Sequence, residues 1–377
     1  MSKWETVKLG DICDGISSNI AQKDLEENEG LYPIYGASGF IKSVNFYKQE
    51  KEYIAVVKDG AGIGRTTLLP AKSSVIGTMQ TLLPKSTVNP RFLYYAVNTM
   101  NLAKYYTGAT IPHIYFKDYK NELLPLPPLE TQQKIADVLD RASALIEKRK
   151  AQIEKLDLLI KSQFIEMFGD LSAHNVQWPD YAIVELCKKK DDIKCGPFGT
   201  QLCKTEYKNE GVPLWGIPQI NTSFTIPPTD FLDDKKALQL DDYSILPNDI
   251  VMSRKGNVGK CSLYPRFGEK GIMHSDVLRI RLDCDKIIPT FLMHQLHYSN
   301  YVQQQILVVS SGAIMAGINV TKLKTMRVHV PPLHLQTQFA DFVNQIEAQK
   351  SLLQKSLEKL ELNYKSLMQK CFRGDLF

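Results

Sequence analysis

From Leu124 to Leu171 the chain reads LPLPPLETQQKIADVLDRASALIEKRKAQIEKLDLLIKSQFIEMFGDL, and from Val328 to Phe377 it reads VHVPPLHLQTQFADFVNQIEAQKSLLQKSLEKLELNYKSLMQKCFRGDLF. Pro127, Pro128, Leu129, Gln132, Ala136, Leu156 and Phe168 recur 204 positions later as Pro331, Pro332, Leu333, Gln336, Ala340, Leu360 and Phe372. A repeat of so long a period implies two similar halves, not a stack of short units.

In the first copy Ile135, Leu139, Ala142, Ile146, Arg149, Ile153, Leu156 and Ile160 alternate spacings of four and three. Phe339, Val343, Ile346, Lys350, Leu353, Leu357, Leu360 and Tyr364 keep that register in the second, where Lys350 interrupts an otherwise apolar line. Such an a/d seam predicts two long amphipathic helices. The Pro-Pro pair before each suits a helix start, because proline is tolerated in the first turn and blocks extension backwards. At about 1.5 Å per residue, roughly 40 residues make a rod of about 60 Å. The order globule, helix, globule, helix then requires the second helix to run back along the first. The expectation is an antiparallel two-helix coiled-coil rod with a pseudo-two-fold internal repeat. Its core would include Ile146, Ile153, Leu156, Leu353, Leu357 and Leu360, with Ile153 near Leu353 and Ile146 near Leu360 to within about one heptad.

A chain of 377 residues has room for two domains beside these helices. The expected division is a first globule over 1–125, a first rod helix over 126–172, a second globule over 173–330 and a second rod helix over 331–377. No apolar run approaches the roughly 20 residues of a membrane span, and MSKWETVKLGD lacks a signal-peptide core. The seven cysteines form no CxxC pair and are odd in number, which argues against a disulfide framework and for a reducing cytoplasm. The net charge of +5 is shared as +2 up to Leu124, −1 from Pro125 to Ser172, +3 from Ala173 to Pro331 and +1 in the tail. Mildly basic globules permit a nucleic-acid partner without demanding one.

In the first globule, Leu31–Val44, Lys51–Pro70 and Ser73–Pro84 read as short strands with glycine-rich turns, and Asn89–Tyr106 reads as a helix. The second contains KCGPFGTQLCKTEY (Lys194–Tyr207), VPLWGIPQIN (Val212–Asn221), DIVMSRKGNVGKCSLYP (Asp249–Pro265) and IMHSDVLRIRL (Ile272–Leu282), then a helix near Thr290–Gln305. Strands followed by a helix, without regular alternation, predict mixed α/β globules and an α+β chain.

GAGIG (Gly60–Gly64) resembles a cofactor loop, but RTTLLPAKSS follows it where such a loop would open a helix, so it reads as a hairpin turn. Gly256–Cys261 is two residues short of a phosphate loop. His294 and His297 stand at HxxH spacing without the glutamate of HExxH, and read as ordinary surface or core histidines. No Ser/His/Asp order, carboxylate cluster or nuclease-like acidic triad stands out, and the chain reads as non-catalytic. What remains is recognition chemistry. Lys58, Arg65, Arg254, Lys255, Asn257 and Lys260 flank the glycine hairpins, and His113, Lys117 and Gln201 lie on other polar turns. Lys and Arg at such turns suit phosphates, while Arg, Asn and Gln suit base edges. Each is equally compatible with solvated loop charge.

Taken in order, the paired PPLxxQ starts, YPIYGASG, GPFGTQL, SRKGNVGK, TGATIPH and SSGAIMAGI resemble the DNA-specificity subunit of type I restriction-modification systems over nearly the whole chain. That resemblance implies two target-recognition domains reading the halves of a split, asymmetric double-stranded DNA target, with the rod setting their spacing. A rod of about 60 Å bounds that spacing at roughly 18 base pairs. It also implies two modification subunits that methylate adenine, and restriction subunits that join them. S-adenosylmethionine, ATP and Mg would act on those partners, with no cofactor or metal on this chain. His334-Leu335-Gln336-Thr337 departs from the family's usual acidic residue and paired glutamines at the second helix start. The specificity subunit of a type IIB-like enzyme is a close alternative. A cofactor-binding enzyme using GAGIG and a scaffold without a DNA role are more distant ones.

Overall fold

The computed structural model describes residues 3–60, 62–108, 112–169, 171, 177–256, 258–266, 268–310 and 317–377. The chain forms two compact units. Unit 1 is Met1–Ala151 with Gln354–Phe377, and unit 2 is Gln152–Leu353. Each therefore takes one globule together with part of both long helices.

Unit 1 contains β1 (Thr6–Lys8), β2 (Cys13–Ser17), β3 (Tyr32–Gly36), β4 (Gly39–Val44), β5 (Tyr53–Val57), β6 (Thr66–Leu69), β7 (Ser74–Val75), β8 (Met79–Pro84) and β9 (Leu123–Pro125). They make an antiparallel sheet in the order β2-β8-β5-β6, a second sheet β4-β3-β7, and the pair β1-β9. Strand β5, YIAVV, is buried throughout because its two faces enter different cores. Ile54 and Val56 pack with Phe92 and Leu93, whereas Tyr53, Ala55 and Val57 pack with Leu69 and Val75. Strand alternation alone produces that division. The helix expected over Asn89–Tyr106 spans only Pro90–Asn98. Asn101, at φ 45°, turns the chain left-handed before a 3-10 turn over Leu102–Tyr105.

Unit 2 contains β10 (Asp180–Ala182), β11 (Ile193–Cys195), β12 (Val212–Trp215), β13 (Asp230–Leu232), β14 (Ser244–Ile245), β15 (Ile250–Ser253), β16 (Cys261–Leu263), β17 (Gly271–Met273), β18 (Val277–Ile280) and β19 (Arg327–His329). The sheets run β11-β18-β15-β16, β13-β12-β17-β14 and β10-β19. Ile250 and Met252 of β15 enter the large core with Phe164, Phe291 and Phe339, while Val251 faces Trp215 and Tyr264. The helical region expected near Thr290–Gln305 is two helices, Pro289–Tyr298 and Asn300–Ser310, because Ser299 is extended (ψ 117°).

The long helices run Leu129–Phe168, 40 residues, and Leu333–Arg373, 41 residues. Each starts directly after its Pro-Pro pair and ends at a left-handed glycine, Gly169 at φ 76° and Gly374 at φ 83°. Within unit 1, Ile135 and Leu139 share one core with Tyr364, Leu367, Met368 and Cys371. Lys150 Nζ lies 3.7 Å from Glu361 Oε1. Within unit 2, Ile160 and Phe164 share a core with Phe339, Val343 and Ile346, and Lys350 Nζ donates to Asp157 Oδ1 at 2.5 Å. Ile146 and Leu357 are buried, and Ile153, Leu156, Leu353 and Leu360 half-buried.

A buried glutamine joins each globule to its long helix. Gln132 Oε1 accepts from the Asn89 N–H at 2.8 Å, and its Nε2 donates to Thr87 O at 3.1 Å and Pro127 O at 2.9 Å. Gln336 Oε1 accepts from the Ile288 N–H at 2.8 Å, and its Nε2 donates to Pro331 O at 2.6 Å. Asn89 and Ile288 are the N-caps of the Pro90–Asn98 and Pro289–Tyr298 helices. The same amide thus ties a helix start in the globule to the proline turn before each long helix.

Candidate nucleic-acid interface

In unit 1 the Gly60–Gly64 stretch is the turn of the antiparallel β5–β6 hairpin. Gly64 N donates to Val57 O at 2.8 Å and Val57 N to Arg65 O at 2.9 Å, closing it. Gly64 sits at φ 80°, and a Cβ there would come within 2.8 Å of Ala103 N, so glycine is required by backbone and packing. The segment from Pro112 to Ile114 lies along this hairpin, Gly60 N donating to Pro112 O at 3.0 Å and Ile114 N to Lys58 O at 2.9 Å. Lys58 and His113, far apart in sequence, are thereby neighbours. His113 Nδ1 lies 2.7 Å from Asp59 Oδ1, which orients the ring and leaves Nε2 outside that bond. The ring stacks on Tyr115 at 6.4 Å, and Lys117 Nζ lies 5.3 Å over the same tyrosine. Arg65 bridges to the YGASG turn, Nη2 donating to Ala37 O at 3.0 Å and Nε to Gly62 O at 3.4 Å.

In unit 2 the β15–β16 hairpin carries Arg254, Lys255 and Lys260; Asn257 lies outside the described residues. Gly259, at φ 85°, packs where a Cβ would come 2.9 Å from Ile306 Cγ2, so this turn too is shaped by a helix beneath it. Arg254 lies over the Phe198 ring at 4.7 Å and donates Nη1 to Cys195 Sγ at 3.5 Å. Burial pushes the Cys195 thiol pKa up, partly offset by Arg254, so the sulfur stays a neutral partner. Lys255 Nζ is 2.7 Å from Asp276 Oδ1. That pair is partly exposed and contributes only about 0–1 kcal/mol. Gln201 Oε1 accepts from Phe198 N and from the Tyr243 hydroxyl, both at 3.1 Å, leaving its amide N–H groups as donors. Lys260 is exposed.

Each unit thus gathers its sequence-selected residues on one group of polar turns: Lys58, Arg65, His113 and Lys117 in unit 1, and Gln201, Arg254 and Lys255 in unit 2. Sequence reasoning missed the residues that orient them. Asp59, Phe198, Tyr243 and Asp276 act through contacts of long sequence separation, whereas Tyr115 stands two residues from both His113 and Lys117, and Asp59 lies directly before Gly60. Among the described residues no group of three or more His, Cys, Asp or Glu side chains is placed to hold a metal, and no helix is long and apolar enough to cross a membrane.

A model of the type I restriction modification DNA specificity domain matches residues 1–155 and 175–362. The type I restriction enzyme MjaVIII specificity subunit of Methanocaldococcus jannaschii is 25% identical over 403 aligned positions, covering 99% of this chain and 93% of that protein. The type I restriction enzyme EcoBI specificity subunit of Escherichia coli is 24% identical, covering 76% of this chain and 66% of that protein. A crystal structure of the type I restriction-modification S subunit from M. genitalium superposes with TM-score 0.63 at 18% identity, covering 98% of this chain and 96% of that one. At that identity the likeness speaks for the fold.

Proposed function

We propose, from the premise that this chain belongs to the type I restriction modification DNA-specificity family, that each of its units reads one half of a split, asymmetric DNA target. As a specificity subunit it is non-catalytic, and methyl transfer and cleavage reside on partner subunits. The observation that carries the split reading is the pair of unlike polar turn clusters, one per unit. Unit 1 offers an Asp-oriented histidine with two lysines, and unit 2 an arginine over a phenylalanine ring with a glutamine amide. Different donor and acceptor sets suit different base edges, because the major groove distinguishes all four base pairs by those patterns.

In this reading Lys58, Lys117, Lys255 and Lys260 hold phosphates, while Arg65, His113, Gln201, Arg254 and Asn257 lie toward the bases. The long helices act as the rod that sets half-site spacing, with Ile146, Ile153, Leu156, Leu353, Leu357 and Leu360 in its seam. The shared cores and the Lys150–Glu361 and Lys350–Asp157 pairs support this inside each unit. In unit 1 early residues of the first helix (Ile135, Leu139) share a core with late residues of the second (Tyr364 to Cys371), and in unit 2 late residues of the first (Ile160, Phe164) share one with early residues of the second (Phe339 to Ile346). Two modification subunits and restriction subunits would dock on the chain in the prokaryotic cytoplasm.

The test is the methylome of a host expressing this chain with its modification subunit, against a host lacking only this chain. An N6-methyladenine motif split by a fixed gap is expected. A folded, assembled complex that leaves no split motif would refute the reading. Exchange of one globule should change one half of the motif only.

A further inference from the structure

Arg254 is held differently from the other cations of these turns. Lys255 faces Asp276 at 2.7 Å, and Arg65 spends Nη2 and Nε on the carbonyls of Ala37 and Gly62. The Arg254 guanidinium instead lies over the Phe198 ring, its carbon 4.7 Å from the ring centre, with one N–H donated to Cys195 Sγ. Phe198 is 49% exposed and stands between Gly196 and Gly199. The backbone of Arg254 is fixed on both sides, its N–H donating to Asp276 O at 3.0 Å and its carbonyl accepting from Ile318 N at 3.3 Å.

The ring on one side and the thiol on the other together restrict where the guanidinium can lie. An arginine has five N–H donors in a rigid fork, so one bond to sulfur leaves the other side available. A phosphate contact needs only charge, for which a mobile lysine serves. A planar fork with its position restricted before binding matches the two acceptors of guanine, O6 and N7, at reduced ordering cost. We propose that Arg254 reads a guanine through O6 and N7 in the half-site taken by unit 2, with Phe198 and Cys195 as positioning residues. The assignment rests on the reading of unit 2 as a DNA-recognition unit.

The test uses the full chain in complex with its modification subunits. With the wild-type complex, DNA carrying 7-deazaguanine at one guanine at a time removes N7 without altering the protein. One substitution, confined to one half-site, should weaken binding about tenfold or more at fixed salt. In cells, Arg254→Lys, which keeps the charge and loses the fork, and Arg254→Ala should both make that same G·C position degenerate in the methylated motif and leave the other half intact. A flat deazaguanine series, a half-site of A·T pairs alone, or variants that weaken binding to all sequences alike with the salt slope reduced by about one would overturn the assignment. Absence of any split motif with the wild-type chain is the separate failure of the underlying reading.

Discussion

At the scale of single residues, His294 departs furthest from its behaviour in water. It is 5% exposed, stacks on Tyr298 at 5.4 Å and meets Phe339 edge-on at 5.4 Å. Neither ring nitrogen has a hydrogen-bond partner among the described residues. Burial, with smaller contributions from His297 and Lys350, lowers its pKa from 6.5 to about 3. The folded chain therefore keeps the ring neutral while the unfolded chain protonates it near its ordinary value. Between about pH 6.5 and 3 the unfolded state binds the extra proton, so stability falls as pH falls through that window. Replacing His294 by Leu should flatten the fall between pH 6.5 and 4.5 and leave stability at pH 7.5 equal or higher, read as unfolding midpoint against pH. An unchanged slope would show that the ring is not the proton acceptor. Carboxylates act lower down: Asp180, held below the usual carboxylate range by its hydrogen bond from Arg327, loses its contribution only as pH drops below about 4. The HxxH spacing was legible in the sequence. That the first histidine is sealed beneath an aromatic cluster was not, because the residues sealing it come from both long helices and from its own helix.

At the scale of elements, the glutamine joints decide how globule and helix are coupled. The Gln132 amide is buried and makes three hydrogen bonds, all to backbone groups. Leaving buried donors and acceptors unmade costs about 1–3 kcal/mol apiece, whereas a made bond contributes only about 1. Gln132→Ala should thus destabilise unit 1 by about 2–4 kcal/mol and Gln336→Ala unit 2 by a similar amount, measured by urea unfolding of the full chain. Gln132→Glu should also destabilise, since a carboxylate cannot donate to Pro127 O. If the alanine variants unfold like the parent, the amides are not structural joints. The sequence displayed both glutamines at matching positions behind Pro-Pro-Leu. Their partners, Asn89 and Ile288, lie more than forty residues upstream, and although each stands before a Pro-x-Phe-Leu helix start, nothing local pairs that start with the glutamine.

At the scale of the whole molecule, the proposed role makes target spacing a property of helix length. One heptad inserted after Ala151 and one after Leu353 would lengthen both helices by about 10 Å, or about 3 base pairs of DNA. The methylated motif should keep both half-sites and widen its gap by about that number. An unchanged gap would mean that spacing is set elsewhere. Paired insertion matters because a change in one helix alone would shift the seam out of register.

What the sequence determined by itself was whatever depends on periodicity. Apolar residues at alternating spacings of three and four, bounded by Pro-Pro, specify a helix through contacts repeated every turn, and they did so in both copies. Likewise β-branched runs such as YIAVV specify a strand buried on both faces. Tertiary structure alone decided which loop residues meet. His113 finds Asp59, Arg254 finds Phe198, and Lys255 finds Asp276, each across a separation that no local pattern encodes. A loop side chain is placed by the sheet edges and helices beneath it, so its neighbours are set by the summed packing of the unit and not by its own place in the chain.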